Sequence, residues 1–337
     1  MSNNWLQRLK FDPLPPLLSS GNEALGYFVR RDLLGEDAGP VQRLWPLPGA
    51  QKILKKQRPD GSCPRPGVNK HPAINPDLIE TWRYLRILVE QYGFTHEHPQ
   101  ARQAAEYLFS CQAEEGDFRG MIANQYATYY TGAILATLIQ AGCVDDPRID
   151  KVFQWLLEMR QSDGGWTIPL ITHKLDRKIQ YFLTSQVAEP LQPDHSRPFS
   201  HNATGMILCA FAVHPGRKNS EAARTAASQY KSRFFQADVY TSYQSAGYWV
   251  RFEYPFWWNS LVSGLDSLSR MGFSKEDPSI AQALGWLVDH QETSGLWKTS
   301  YMKPDEQEKD NSKVREMKLW VSLAICRVFA RLFGGEF

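Results

Sequence analysis

Two kinds of helical stretch alternate along the chain. Residues 22–34, 77–92, 125–141, 201–213, 256–271 and 314–332 are apolar over most of their circumference. Residues 42–57, 100–111, 149–159, 221–235 and 280–289 carry an apolar stripe opposite a polar one, at the spacing of a surface helix. Alternating strand patterns are scarce, so the chain is predicted to be all-α. An apolar helix needs neighbours on every side, whereas an amphipathic one needs them on one side only. A double ring meets both demands, with the first class inside and the second facing water. The expected fold is therefore a single α/α toroid spanning 1–337, built from about five to six helical hairpins of inner and outer helices. An open superhelix of the same hairpins would share the pattern. Residues 1–20 read as an extended arm, and 167–199 and 240–254 as insertions near the mouth of the ring, the first a candidate lid or plug.

The joints between helices repeat. Gln112 and Gln291 are each preceded by an aromatic–aliphatic pair (Tyr107-Leu108, Trp286-Leu287) and followed by a glycine and an aromatic (Gly116 and Phe118, Gly295 and Trp297). A third copy puts Arg160 in the glutamine slot, between Trp155-Leu156 and Gly164 and Trp166. A weaker fourth runs from Gln57 to Gly61, with Cys63 in the aromatic slot, and a degenerate one falls near Ser232. Glycine at a helix C-terminus takes the left-handed conformation, and a glutamine side chain can serve the orphan carbonyls there. The next outer helix starts on a capping residue and a proline: His98-Pro99, Asp146-Pro147 and Asp277-Pro278. From each of these prolines to the following corner glycine is seventeen residues, one helix of about four turns.

Composition narrows the function classes. Of the 337 residues, 42% are hydrophobic and 22% charged, which supports a sizeable core. The 38 basic and 36 acidic residues are interspersed, so no nucleic-acid partner is expected. Five cysteines at no ligand-like spacing, with no leader pattern at the start, point to a reducing cytoplasm. No apolar run is long enough to span a membrane. The eleven tryptophans suit a pocket or a peripheral membrane contact alike.

The corner grammar resembles the QW motif of squalene and oxidosqualene cyclases, and more loosely the repeats of protein prenyltransferase β-subunits. The likeness covers roughly residues 22–334 and implies the α/α-toroid fold. Class II cyclases of this kind begin their reaction with a D-x-D-D-T motif at the start of an inner helix, whose middle aspartate protonates an alkene or epoxide. The best match is Asp77-Leu78-Ile79-Glu80-Thr81, in which Ile79 occupies the proton-donor slot. Aligning the inner helices on Thr81, Thr131, Thr204, Leu261 and Ser322 puts Ile79, Tyr129, Asn202, Asn259 and Trp320 two positions earlier, and none is a carboxylate. No Asp-rich diphosphate-ionising motif is present either; Asp145-Asp146 reads as a helix cap. Prenyltransferases hold zinc with Asp, Cys and His. Cys63, His71, Asp77 and His201 could supply such a set, but without the short ligand spacing of a zinc site. The expectation is no metal and no cofactor, with zinc or magnesium only weakly indicated.

If the ring closes, the starts of the inner helices meet at one polar mouth. Asp77, Glu80 and His201 are then the candidate catalytic residues. The carboxylates stand three apart on one helix face, where one can keep the other protonated as a general acid, and histidine moves protons near neutral pH. Helix-dipole and capping roles are the structural alternatives for all three. Tyr126, Tyr129, Tyr130, Asn202, Tyr254, Trp257, Trp258, Asn259 and Trp320 are the expected substrate-binding wall, although packing alone accounts for large rings in a core. Aromatic faces stabilise cations by roughly 0.5–2 kcal/mol each, which suits a carbocation or a long apolar guest. The leading function is a terpene cyclase- or isomerase-like enzyme acting on a hydrophobic isoprenoid-type substrate. An α/α-barrel glycoside hydrolase or lyase would instead set Asp77 or Glu80 opposite Glu253, and a lipid- or protein-binding toroid would have no turnover.

Overall fold

The computed structural model describes residues 4–67, 73–240, 245–301 and 312–334. Among the described residues it is all-α, with isolated bridge pairs but no strand. In chain order the helices are α1 (Leu14–Leu18), α2 (Glu23–Val29), α3 (Pro48–Leu54), α4 (Pro76–Tyr92), α5 (Pro99–Ser110), α6 (Thr128–Leu138), α7 (Pro147–Glu158), α8 (Arg177–Ser185), α9 (His201–Val213), α10 (Glu221–Lys231), α11 (Leu261–Arg270), α12 (Pro278–Asp289) and α13 (Ser312–Phe333). They fall into two compact units: a central one, Val41–Tyr230, and a terminal one made of Met1–Pro40 and Lys231–Phe337. No described helix is long and apolar enough to cross a membrane.

The two helix classes are real. In α6, nine of eleven residues are buried, and in α9 ten of thirteen. In α10 only four of eleven are buried, and in α12 four of twelve. In the central unit α4 packs on α5 and α6, and α6 packs on α7 and α9. The α6–α9 contact is close: a Cβ on Gly132 would lie 2.6 Å from the Cα of Ile207. In the terminal unit α13 packs on α11 and α2, so the two ends of the chain share one core.

The corners explain how each helix pair is fastened to the next. Gln112 Nε2 donates to the Gly116 carbonyl (3.0 Å) and to the Arg148 carbonyl in the first turn of α7 (3.1 Å). Gln57 does the same to Gly61 (3.0 Å) and to Gln100 at the start of α5 (2.8 Å). Gln291 serves Gly295 (2.9 Å) and Phe11 (2.8 Å), while its Oε1 accepts from the backbone of Lys10 and Phe11 at 3.0 Å. Arg160 takes the glutamine's part in its copy, with Nε donating to the Gly164 carbonyl at 2.9 Å. Gly116 and Gly295 stand at φ 114° and 82°, and their bare Cα faces the next segment's backbone. A Cβ would come within 2.7 Å of Lys151 O and 2.5 Å of Asp12 O.

The aromatic that ends each corner is bound twice. The indole N–H groups of Trp166 and Trp297 reach back 2.6 Å to the carbonyls of Leu156 and Leu287, the aliphatic members of the pairs that precede their corners. The backbone N–H of the aromatic slot donates forward to a hydroxyl on the next inner helix: Cys63 to Thr81 (2.8 Å), Phe118 to Thr131 (3.2 Å), Trp166 to Thr204 (2.8 Å) and Trp297 to Ser322 (3.1 Å).

Several stretches differ from the expectation. The helix expected over 42–57 is a single 3-10 turn, Val41–Leu44, followed by α3, because Pro46 interrupts it. The arm at 1–20 contains a turn at Leu6–Arg8 and the short α1. The 167–199 insertion holds α8, capped by Asp176. The apolar helix expected from 256 begins only at Leu261, after a cis Tyr254–Pro255 bond. Residues 241–244, inside the 240–254 insertion, and His71 lie outside the described residues.

Candidate functional site

In the central unit, Asn75 caps α4 and places Asp77 in its first turn, where the helix dipole favours a carboxylate. Asp77 is held by Arg58 (2.6 Å) and by the Arg65 backbone N–H (3.2 Å). Glu80 is buried and faces Arg83, whose Nη1 is 3.5 Å from both carboxylate oxygens. One of these two carboxylates was expected to keep the other protonated, with a helix-dipole role as the structural alternative. Asp77 pairs with Arg58, and Glu80 faces Arg83 three residues on along the same helix.

Cys63 is adjacent: burial, reinforced by the charge of Glu80, pushes its thiol up to about 11. Among the described residues no three His, Cys, Asp or Glu side chains gather as a metal-ligand set.

The aromatic residues of this unit do come together. Tyr129 and Tyr130 have ring centroids 4.4 Å apart, and Trp82 stands edge-on to Tyr130 at 5.5 Å. Burial raises both tyrosine hydroxyls above their usual range. Arg86, itself buried on α4, lies 4.9 Å over the Trp82 ring. Tyr126 belongs to a different cluster. Its hydroxyl donates to Glu115 Oε2 at 2.6 Å and accepts from Gln192 at 3.0 Å, while Arg119 covers its ring at 4.9 Å. Arg119 also holds Asp117, which is fully buried; burial outweighs the arginine and raises that carboxyl. His201 is the buried first residue of α9, and Asn202 beside it is half-buried.

Arg86 and the Glu115–Asp117–Arg119 cluster were not anticipated. A charged residue among the leucines of an apolar helix was the available signal for Arg86. Asp117 lay unnoticed between the corner's glycine and its aromatic.

In the terminal unit, Tyr254 is stacked on Trp320 at 5.8 Å and meets Phe256 edge-on at 5.2 Å. The Tyr254 hydroxyl accepts from Arg327 Nη1 at 3.0 Å, and Arg327 pairs with Asp32 at 2.6 Å. Trp320 is buried against Phe28 as well. Asn259 is buried just before the capping Ser260, and Trp257 is half-buried. Trp258 is 41% exposed and therefore leaves the expected wall; its backbone N–H donates to Glu253 at 3.2 Å.

The geometry thus provides, in the central unit, the buried Glu80 and the half-buried Asp77 at the start of α4, and an aromatic group with a guanidinium. Residues 74–186, which run from the cap of α4 through α8, match the model of the squalene-hopene cyclase C-terminal domain. The chain is similar to the squalene-hopene cyclases. A probable squalene–hopene cyclase from Sinorhizobium fredii is 33% identical over 98 residues, 28% of this chain and 15% of that protein. The squalene–hopene cyclase of Bradyrhizobium diazoefficiens is 28% identical over 145 residues, 40% of this chain and 20% of that protein. The chain therefore aligns with a fifth or less of the length of these curated relatives. Among solved structures, a protein from Actinoplanes gives 18% identity and a TM-score of 0.44, covering 87% of each chain. The type II terpene cyclase MstE from Scytonema gives 14% and 0.41, covering 86% of this chain and 85% of that one.

Proposed function

We propose that the protein is an enzyme that cyclises or isomerises a hydrophobic isoprenoid-type substrate by acid-initiated chemistry. The observation that carries the reading is the squalene-hopene cyclase likeness over residues 74–186, which contains the buried Glu80 and the Trp82, Tyr129 and Tyr130 rings. In such a reaction a carboxylic acid gives its proton to one carbon of an alkene. The π electrons form the new C–H bond and leave a tertiary cation, which a second alkene attacks to close a ring. Loss of a proton then restores neutrality, and the product keeps the formula of the substrate. Aromatic faces lower the energy of the cation by roughly 0.5–2 kcal/mol each without offering it a nucleophile.

Ile79 occupies the family's acid slot, so the donor must be another group. Glu80 is favoured over Asp77 because Asp77 is engaged by both Arg58 and the Arg65 backbone N–H, whereas Glu80 has one guanidinium at the limit of hydrogen-bonding distance. His201 is the alternative donor, from the buried start of α9. The reading calls for no cofactor and places the protein in the cytoplasm, with a hydrophobic small molecule as its partner.

Incubation with linear isoprenoids of monoterpene to triterpene length and their diphosphates, with and without Mg²⁺, followed by mass spectrometry, tests the proposal. Cyclic products of unchanged mass are expected, and Glu80→Gln should abolish them. Unreacted substrate across the whole panel defeats the proposal. Full activity in Glu80→Gln removes Glu80 from the mechanism, and His201→Gln then tests the remaining donor.

A further inference from the structure

In the terminal unit, the region where α11 and α13 finish carries more positive charge than its carboxylates balance. Four arginines share two aspartates: Arg270 (2.8 Å) and Arg331 on Asp266, and Arg31 (2.5 Å) and Arg327 (2.6 Å) on Asp32. The two groups adjoin, because Arg270 and Arg331 both feel the charge of Arg327, which stands one turn before Arg331 on α13. None of the four makes an ion pair elsewhere among the described residues, so the cluster holds an excess of two positive charges. Arg8 and Lys275 add to it without a carboxylate of their own among the described residues, at 5.2 Å and 5.1 Å from the Phe333 ring.

The helix ends offset only part of that charge. Aligned peptide dipoles put about half a negative charge at a helix C-terminus, and the end of α13 is already served by Lys275, whose Nζ donates to the Leu332 carbonyl at 3.3 Å. The hydrogen bonds leave a matching surplus of donors. Arg327 is fully engaged, with Nε (2.8 Å) and Nη2 on Asp32 and Nη1 on the Tyr254 hydroxyl. Arg270 is not: it binds Asp266 through Nε alone, so both terminal amino groups lack a protein acceptor among the described residues, and its side chain, 35% exposed, can be reached from water. Arg331 uses Nε on Ser269 (3.0 Å) and Nη2 on Asp266, which leaves Nη1. Burial, reinforced by the charges of Arg270 and Arg327, lowers the pKa of Arg331 despite Asp266, so a further anion in contact would favour its charged form.

We propose that Arg270 and Arg331 bind a phosphate group between the ends of α11 and α13. A guanidinium presents its N–H groups in a planar fork that matches phosphate oxygens, and two guanidiniums with unused N–H groups can hold different oxygens of one phosphate. Charge favours phosphate over a carboxylate. A phosphate monoester carries roughly −1.5 to −2 at neutral pH, which matches the excess of two, whereas a carboxylate carries a single charge. Free phosphate and the phosphate of a monoester metabolite share this chemistry. The binding is independent of the reaction proposed above, since it requires no turnover.

Isothermal titration calorimetry of the full chain with inorganic phosphate and with methyl phosphate, at fixed ionic strength in chloride, should give saturable binding at a single site. Acetate, with one charge, should bind at least about tenfold more weakly. Binding of both phosphates assigns the site to monoesters as well as to the free ion, and binding of inorganic phosphate alone restricts it to the free ion. Arg270→Gln should weaken the binding at least about tenfold with unchanged circular dichroism. Arg331→Lys, which keeps the charge and loses the fork, should weaken it too, and decides the matter if Arg270→Gln does not fold. Arg102→Gln, the same change of charge on exposed α5, should leave it unchanged. A parent chain with no saturable binding of either phosphate overturns the proposal, as does undiminished binding by Arg270→Gln. An equal loss in Arg102→Gln also overturns it, since net charge alone would then govern the binding.

Discussion

The backbone N–H of Trp166 donates to Thr204 Oγ1 at 2.8 Å, and that hydroxyl donates in turn to the Trp166 carbonyl at 3.1 Å. One threonine on an inner helix thereby satisfies both polar groups of a buried corner residue. Thr81, Thr131 and Ser322 receive the corresponding N–H from three further corners. Thr204→Val keeps the shape and removes the hydroxyl, leaving the Trp166 N–H buried without a partner. It should destabilise the protein by about 1–3 kcal/mol in urea unfolding, whereas Thr204→Ser, which keeps the hydroxyl, should retain most of the stability. A valine chain as stable as the parent would show that the pair is incidental.

Gln291 fastens the opening of the chain to the last corner through three hydrogen bonds, two of them with Phe11, while a fourth goes to the corner's own Gly295. Gln291→Ala should free residues 10–13, so that limited proteolysis cuts beside Lys10 faster than in the parent. Gln112→Ala, whose side chain ties α7 rather than the chain's start, should leave that cleavage unchanged.

Gly132 lets α6 and α9 approach each other at the backbone. Gly132→Ala would set a methyl 2.6 Å from Ile207 Cα, which a side-chain rotation cannot relieve. A loss of about 1–3 kcal/mol is expected despite alanine's better helix propensity. Gly285, on α12 with open space around its Cα, should gain stability from the same change, by up to about 1 kcal/mol.

Asp266 is held between Arg270 (2.8 Å) and Arg331. Burial alone would raise its pKa, but the two guanidiniums outweigh it and bring the carboxyl down to about 2. A depressed folded-state pKa stabilises the protein above the unfolded value near 3.9, and that stability is lost as pH falls from there towards 2. On the order of 2 kcal/mol should disappear over that window in denaturation curves. Asp266→Asn should remove this dependence and cost about 3–5 kcal/mol at neutral pH, because it strands two arginines.

Much of the fold was written along the chain. Hydrophobic periodicity separated helices buried all round, such as α9, from helices with one wet face, such as α10. The cap–proline pairs at Pro99, Pro147 and Pro278 marked helix starts to the residue. These signals are local: a helix's need for neighbours, a proline's missing N–H and a glycine's freedom at positive φ belong to the residue itself. The corner glutamines were expected to serve orphan carbonyls at the helix end; their acceptors are instead the carbonyl of the glycine four residues on and one from another segment.

What pairs across the chain could not be read that way. The second acceptor of each corner glutamine, the hydroxyl under each corner aromatic and the arginine on Asp77 depend on side chains brought together from distant segments. Nothing local distinguished Tyr126, bonded to Glu115, from Tyr129 and Tyr130, packed with Trp82. The arginines gathered around Asp32 and Asp266 were equally hidden: they come from both ends of the chain, and only the tertiary structure brings them together. Sequence determined most of the helical segments and the proline-capped starts of α5, α7 and α12, because backbone hydrogen bonding and burial of a stripe act within a few residues. Tertiary packing alone decided which polar groups meet, because electrostatic and hydrogen-bond partners are chosen by proximity in space.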